Sequence, residues 1–129
     1  MIEFRIDPGS GVAPYRQLVQ QVQQALRLGL LAEGDRLPTV KEVVAQVAIN
    51  PNTVLKAYRE LELEGLAEGR PGVGTFVTRS LVHASVRAHR GLRTELEGWL
   101  GKARRAGLDD ASIEALFDAT FRATVSDVG

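Results

Sequence analysis

Apolar residues recur along this chain in successive helical stripes, and the polar, Gly and Pro residues between them mark where each stripe begins and ends. Residues 3–6, Glu-Phe-Arg-Ile, alternate instead, and predict a short strand closed by Asp7-Pro8-Gly9-Ser10-Gly11. From Pro14-Tyr15 onward Leu18, Val19, Val22, Ala25, Leu26 and Gly29 keep helical spacing, with Gln17, Gln20, Gln21 and Gln24 mostly on other faces and Gly34-Asp35 as the expected stop. Thr39-Val40-Lys41-Glu42 has the form of a capping box, and Val40, Val43, Val44 and Val47 then stripe a short second helix. Valines are mediocre helix formers, so packing has to hold that helix. A third helix opens on Asn50 as cap and Pro51 in the first turn, with Ile49 placed to staple onto Val54. Its inward stripe is Val54, Ala57, Tyr58 and Leu61, and Gly65 is placed to end it in a left-handed conformation.

Leu66-Ala67-Glu68 and Thr75-Phe76-Val77-Thr78 flank a turn-forming Arg70-Pro71-Gly72-Val73-Gly74, which predicts a hairpin. Three helices and a hairpin, with only Ala48 and Ile49 joining helices two and three, describe a winged helix-turn-helix over residues 1–80. Residues 81–129 return to helical spacing. Val82, Val86, Leu92, Leu96, Trp99, Leu100 and Ala103 fit one long or broken helix, weakened by Gly91, Gly98 and Gly101 and ended by Gly107. Leu108-Asp109 repeats the staple-and-cap device before a last helix lined by Ile113, Leu116, Phe117 and Phe121. The expected fold is mainly α with a small β wing, followed by a two-helix tail.

Composition narrows the function. With 44% hydrophobic and 25% charged residues the chain of 129 is an ordinary globular mixture. It has no cysteine, which removes disulfides and thiolate metal sites. No apolar run approaches the roughly 20 residues of a membrane helix, and Met1-Ile2-Glu3-Phe4-Arg5 lacks the pattern of a secretion signal, so a cytoplasmic location is expected. Sixteen basic residues balance sixteen acidic ones, nine against nine up to residue 80 and seven against seven beyond it. A nucleic-acid surface on such a chain requires charge segregated in space rather than in bulk.

The third helix offers that chemistry. Opposite its buried stripe lie Asn52, Lys56, Arg59, Glu60 and Leu63, with Thr53 and Leu55 flanking. A helix-turn-helix lays the N-terminal part of this element in the DNA major groove, where Asn pairs with adenine, Thr offers a hydroxyl or methyl, and Lys suits guanine or phosphate. Asn52, Thr53 and Lys56 are therefore the expected base and backbone contacts. The start of the second helix presents amides at residues 39–42 beside Lys41 and Arg36, a phosphate site partly cancelled by Glu42. On the wing, Arg70, Gly72, Gly74 and Thr75 suit a minor groove, whose negative potential favours Arg and whose depth admits a glycine backbone. Against these stand plainer roles: Asn50 as a cap only, Tyr58 as core, the wing glycines as turn formers, and Lys56 or Arg59 as solvated charges beside Glu60 or Glu62.

Taken together, Pro14-Tyr15, Gly34-Asp35-Arg36-Leu37-Pro38-Thr39, Asn50-Pro51-Asn52-Thr53-Val54, Lys56-Ala57-Tyr58-Arg59-Glu60-Leu61-Glu62, Glu64-Gly65-Leu66 and Gly72-Val73-Gly74-Thr75-Phe76-Val77 resemble the GntR superfamily, in its short YtrA-type branch. The likeness covers residues 1–80 and continues more loosely over 96–117. It implies a homodimeric regulator, commonly a repressor, on an inverted-repeat operator of double-stranded DNA, controlling its own operon or neighbouring transporter genes. It implies DNA contact at Lys41, Asn52, Thr53 and Gly74. Lys41 stands where the superfamily usually has Arg, which removes bidentate geometry. Pro51 and Leu55 stand where other branches often carry Arg, so those base contacts do not transfer.

A tail of this length cannot bury its apolar face alone, so Leu96, Trp99, Leu100, Ile113, Leu116, Phe117 and Phe121 are expected to meet a second copy, the alternative being the winged segment itself. The short tail argues against a dedicated effector domain, so none is expected; a small molecule or metal at the dimer junction stays open, but the residues nominate neither one nor a cofactor. His83 and His89 lack the i, i+4 relation of helix metal ligands and are expected as exposed linker residues, so no metal site is predicted. Catalysis is not expected, since neither His accompanies a Ser or acid motif. The competing reading is a winged helix used as a protein-interaction module, which the polar outer face of helix three disfavours.

Overall fold

The computed structural model describes residues 2–82 and 86–128. The elements are α1 (Pro14–Arg27), α2 (Val40–Val47), α3 (Pro51–Leu63), β1 (Ala67–Arg70), β2 (Gly74–Val77), α4 (Val86–Arg105) and α5 (Asp110–Val128). They fall into two compact units, Met1–Val86 and Arg87–Gly129. The architecture is mainly helical with one two-stranded antiparallel wing.

In the first unit α1 and α2 both pack on α3. The core joins Leu18, Val22 and Leu26 of α1 to Val43 of α2 and Val54, Ala57 and Leu61 of α3, the stripes that spacing predicts. The capping box on α2 is complete: Glu42 N–H donates to Thr39 Oγ1 at 3.1 Å and Thr39 N–H to Glu42 Oε1 at 3.3 Å. The α2–α3 turn closes through Ala48 at φ 50. Asn50 caps α3 through Asn52 N–H at 2.8 Å, and Gly65 ends it at φ 75, with Leu66 N–H reaching Leu61 C=O at 2.9 Å. The wing turns on Arg70-Pro71-Gly72-Val73, where Val73 N–H meets Arg70 C=O at 2.9 Å and Gly72 takes φ 75. Pro at the second position and a positive φ at the third make this a type II turn, which is why glycine stands there.

Three expectations need correction. Residues 3–6 are extended but join no sheet. Side-chain amides stand in for a neighbouring strand: Arg5 N–H donates to Gln21 Oε1 at 2.9 Å, and Gln21 Nε2 returns to Arg5 C=O at 2.6 Å. Gln17 does the same further on, accepting from Asp7 N–H at 2.8 Å and donating to the carbonyls of Asp7 and Val12 at 2.9 and 2.8 Å. A carboxamide carries both a donor and an acceptor, as a peptide group does, so it satisfies a lone strand in place. Second, α1 stops at Arg27 because Gly29 adopts φ 74 and Leu30 N–H turns back to Ala25 C=O at 2.9 Å. Gly34-Asp35 instead begins a segment running along β2, with Gly34 N–H on Val77 C=O, Val77 N–H on Asp35 C=O and Leu37 N–H on Thr75 C=O, all at 2.8 Å. Third, Val82 precedes the first helix of the tail, and His89 sits half-buried within α4 rather than in a linker. His83 lies outside the described residues.

Tyr58 ties the unit together. Its hydroxyl donates to Pro38 C=O at 2.5 Å in a buried setting, and burial holds its pKa well above the ordinary phenol value. Tyr58→Phe removes the donor and leaves the Pro38 carbonyl without it, which costs about 1–3 kcal/mol. Urea unfolding should show a lower midpoint at unchanged slope, and an unshifted midpoint would deny the hydroxyl a structural role.

The second unit is a helical hairpin. α4 runs unbroken through Gly91, Gly98 and Gly101 and closes with Lys102, Arg104 and Arg105 in its last turn, favourable against the helix dipole. Gly107 takes φ 96, Leu108 N–H returns to Ala103 C=O at 3.1 Å, and Asp109 caps α5 by accepting from Ser112 N–H at 2.8 Å. The Ser112 hydroxyl, and then its amide, hold the Asp109 carboxyl below its ordinary value. Ala103 and Ile113 are buried.

Candidate nucleic-acid interface

Val54, Ala57, Tyr58 and Leu61 bury one side of α3, which turns Asn52, Leu55, Lys56 and Arg59 outward. Thr53 is half-buried at the edge of that surface. Asn52 spends its backbone amide on the Asn50 cap, while its carboxamide is exposed and makes no hydrogen bond among the described residues. A side chain with a donor and an acceptor both unspent, on the first turn of an outward-facing helix, is equipped to read a base edge.

The outward surface divides along α3. Toward α1, the Lys56 ammonium lies over the Tyr15 ring, 4.0 Å from its centroid, and Arg16 Nη1 approaches Glu60 Oε2 at 4.0 Å. Gln23 Nε2 holds Glu64 Oε2 at 2.7 Å. Two of the three acids that end this helix are thus engaged by α1. Toward α2 and the wing, Leu55, Tyr58, Arg59 and Glu62 share a depression of about 290 Å³ with Thr39, Val40, Gly74 and Thr75. Lys41 and Arg59 are exposed and form no ion pair among the described residues.

Arg36, Arg70, Gly72, Gly74 and Thr75 gather at the wing. Arg70 stacks on Phe76, its guanidinium carbon 4.6 Å from the ring centroid, and its Nη2 lies 3.5 Å from Glu68 Oε2. Arg36 bridges to the other side of the same strand and passes beside Gly74, where a Cβ would stand 3.3 Å from its Cδ. Gly74 also holds φ 140, so the position suits glycine on both counts. Arg36 Nη2 reaches Glu42 Oε1 at 3.4 Å. The same carboxylate takes the Thr39 amide, and that bond first, then the Thr39 hydroxyl and Arg36, hold its pKa below the ordinary value. Of the amides at residues 39–42, those of Thr39 and Glu42 are therefore already occupied by the cap. Lys41 stands exposed between them.

The expected contact set leaves out Arg59, although seven residues after Asn52 it recurs on the same face after two helical turns. It also leaves out Tyr15, whose ring places Lys56. Helical spacing was signal enough for the first, while the second is a tertiary contact.

The tail unit presents an open apolar groove of about 330 Å³, lined by Leu96, Trp99, Leu116, Phe117, Thr120 and Phe121. The Phe117 and Phe121 rings stack at 6.1 Å and 11°. Leu96, Leu116, Phe117 and Phe121 are exposed in the single chain, Trp99 and Leu100 half-buried, and Ile113 only 5% exposed.

The model of the bacterial regulatory proteins of the gntR family matches residues 14–77. The "uncharacterized HTH-type transcriptional regulator YhcF" of Bacillus subtilis (strain 168) is 34% identical over 94 residues, which cover 73% of this chain and 78% of that protein. The chain belongs to the GntR family. Another relative, the "HTH-type transcriptional repressor YtrA" of the same strain, is 42% identical over 77 residues, 60% of this chain. The match spans 59% of YtrA. A solved structure described as a transcriptional antiterminator from Listeria monocytogenes EGD-e superposes with TM-score 0.55 at 30% identity, covering 91% of this chain and 88% of that one. The AraR DNA-binding domain in complex with operator ORX1 superposes at TM-score 0.50 and 26% identity, over 58% of this chain and 92% of that one. Among the described residues of this GntR-family chain, no helix is long and apolar enough to cross a membrane.

Proposed function

We propose that the chain is a homodimeric, sequence-specific DNA-binding transcriptional regulator, acting as a repressor on an inverted-repeat operator. The observation that carries this reading is the outward first turn of α3, where the Asn52 carboxamide is exposed and unspent. Asn52, Thr53 and Lys56 would meet the major groove, Lys41 and Arg36 its phosphates, and Arg70, Gly72, Gly74 and Thr75 the neighbouring backbone or minor groove. The operator complex of the related AraR domain supports DNA as the ligand class. The repressor sense draws on the name of YtrA.

Pairing is proposed through the apolar groove of the second unit. Two reading heads held by α4 and α5 of two copies would meet two half-sites, which accounts for a symmetric operator.

The test is titration of duplexes from the gene's own upstream region, followed by anisotropy at rising salt. Specific binding should appear and then weaken steeply, log K falling with a slope of roughly −0.9 for each phosphate neutralised. An absence of affinity for any duplex at low salt would reject DNA as the ligand and leave a protein partner for the winged unit.

A further inference from the structure

We propose that Leu55 reads the 5-methyl group of thymine, so that each operator half-site carries a required thymine beneath the second turn of α3. This inference rests on the DNA-binding reading above and deepens it.

Leu55 is 43% exposed although it sits within α3, one residue after fully buried Val54 and two before fully buried Ala57. Its exposure is therefore imposed by the face it occupies, not by fraying at a helix end. It lies three residues after Asn52 and four before Arg59, so the three side chains form one row along the outward surface. It lines the depression between α2, α3 and the wing with Arg59, Gly74 and Thr75, and with Glu62 near the C-terminal end of α3, one turn or more beyond the Asn52–Leu55 stretch. An apolar side chain set between two hydrogen-bonding ones can match only an apolar feature without loss. Among the base edges in the major groove the thymine methyl is that feature. Phosphate, guanine O6 and N7, and the cytosine amino group would each be desolvated against Leu55 with no bond in return.

Other exposed leucines do not compete for this part. Leu63 is 84% exposed but closes α3 beside Glu62 and Glu64, eleven residues and about 16 Å along the axis from Asn52. Leu28 and Leu30 lie beyond α1 in the loop that leads toward α2.

The test begins with sites selected by the full-length chain from a random duplex library. Each thymine of the selected site is then replaced singly by deoxyuridine, which deletes the methyl and leaves every hydrogen-bonding group in place. Binding is measured by anisotropy with the wild-type chain and with Leu55→Ala, whose melting temperature is checked alongside. Alanine on an exposed helical position favours the helix, so the variant folds. The expected result is one thymine per half-site whose replacement weakens wild-type binding about fourfold, the worth of one methyl. Leu55→Ala should bind the thymine and uracil forms equally. Equal wild-type affinity for every uracil form would overturn the proposal, as would a uracil penalty that persists in Leu55→Ala. Either leaves DNA binding standing, whereas selection that enriches no sequence removes both readings together.

Discussion

Phe121→Asp is expected to halve the mass of the particle in solution and to weaken binding to a two-half-site duplex by about 10²–10⁴-fold. Phe121 is 58% exposed in the single chain, lines the groove with Leu96, Trp99, Leu116 and Phe117, and stacks on Phe117. Because it is not needed to fill the interior of the hairpin, helicity by circular dichroism should hold. An ionised carboxylate set into an apolar seam faces a desolvation cost with no counter-charge among the groove residues, which are apolar apart from Thr120. Separated protomers lose effective concentration, not contacts, so the affinity of one unit for one half-site should be unchanged. Light scattering measures the mass and anisotropy on single and paired half-sites measures the coupling. A variant that keeps the wild-type mass would place the seam elsewhere.

Ile113 draws a distinction that spacing along the chain does not make. It belongs to the same apolar stripe as Leu116, Phe117 and Phe121, yet it is already buried in the single chain. Periodicity identifies which residues share a face. How much of that face the chain's own neighbours cover depends on where α4 and α5 lie against each other. Local rules read well wherever the partners are close in sequence. The Thr39–Glu42 box, the Asn50 cap, Gly65, the Gly72 turn and the Asp109 cap all depend on groups within a few residues of one another. The end of α1 is a local exception, since Gly29 fits the helical stripe by spacing but takes φ 74 while Leu30 N–H turns back to Ala25 C=O; the other departures have long-range partners. Gln17 looked like a polar residue off the buried stripe, but it is 7% exposed because residues 7 to 12 bring back three backbone groups that only a carboxamide satisfies. Gly34 looked like a helix stop, but its amide faces Val77 across forty-three residues of chain.

The zero net charge resolves in the same terms. Glu42 serves the α2 cap, Glu60 and Glu64 are engaged by Arg16 and Gln23 of α1, and Glu68 lies beside Arg70 on the wing. These carboxylates are turned to internal partners or flanks, whereas Glu62 stays exposed and lines the depression that Arg59 lines. Lys41, Lys56 and Arg59 stay exposed on α2 and α3. Segregation at the level of single contacts can supply the local positive field that composition lacks, and screening at about 8–10 Å in physiological salt makes the local arrangement matter more than the total.

Asn52→Ala should separate recognition from attraction. Removing a carboxamide that pairs with a base edge costs about 1–3 kcal/mol at each half-site, so affinity for the selected operator should fall by about 5–150-fold per half-site while affinity for unrelated DNA barely changes. Asn52 is exposed and caps nothing with its side chain, and its amide bond to Asn50 Oδ1 survives the substitution, so stability should be preserved. Lys41→Ala should behave in the opposite way. Its ammonium is exposed beside the start of α2, and its loss should weaken binding to all sequences alike, reducing the salt slope by about one per protomer. The two variants therefore differ in the ratio of specific to non-specific affinity: it collapses for Asn52→Ala and holds for Lys41→Ala. Operator preference retained in Asn52→Ala would mean that the first turn of α3 does not lie against the bases. Loss of preference in Lys41→Ala would move the reading function onto α2, a result no arrangement with α3 in the major groove predicts.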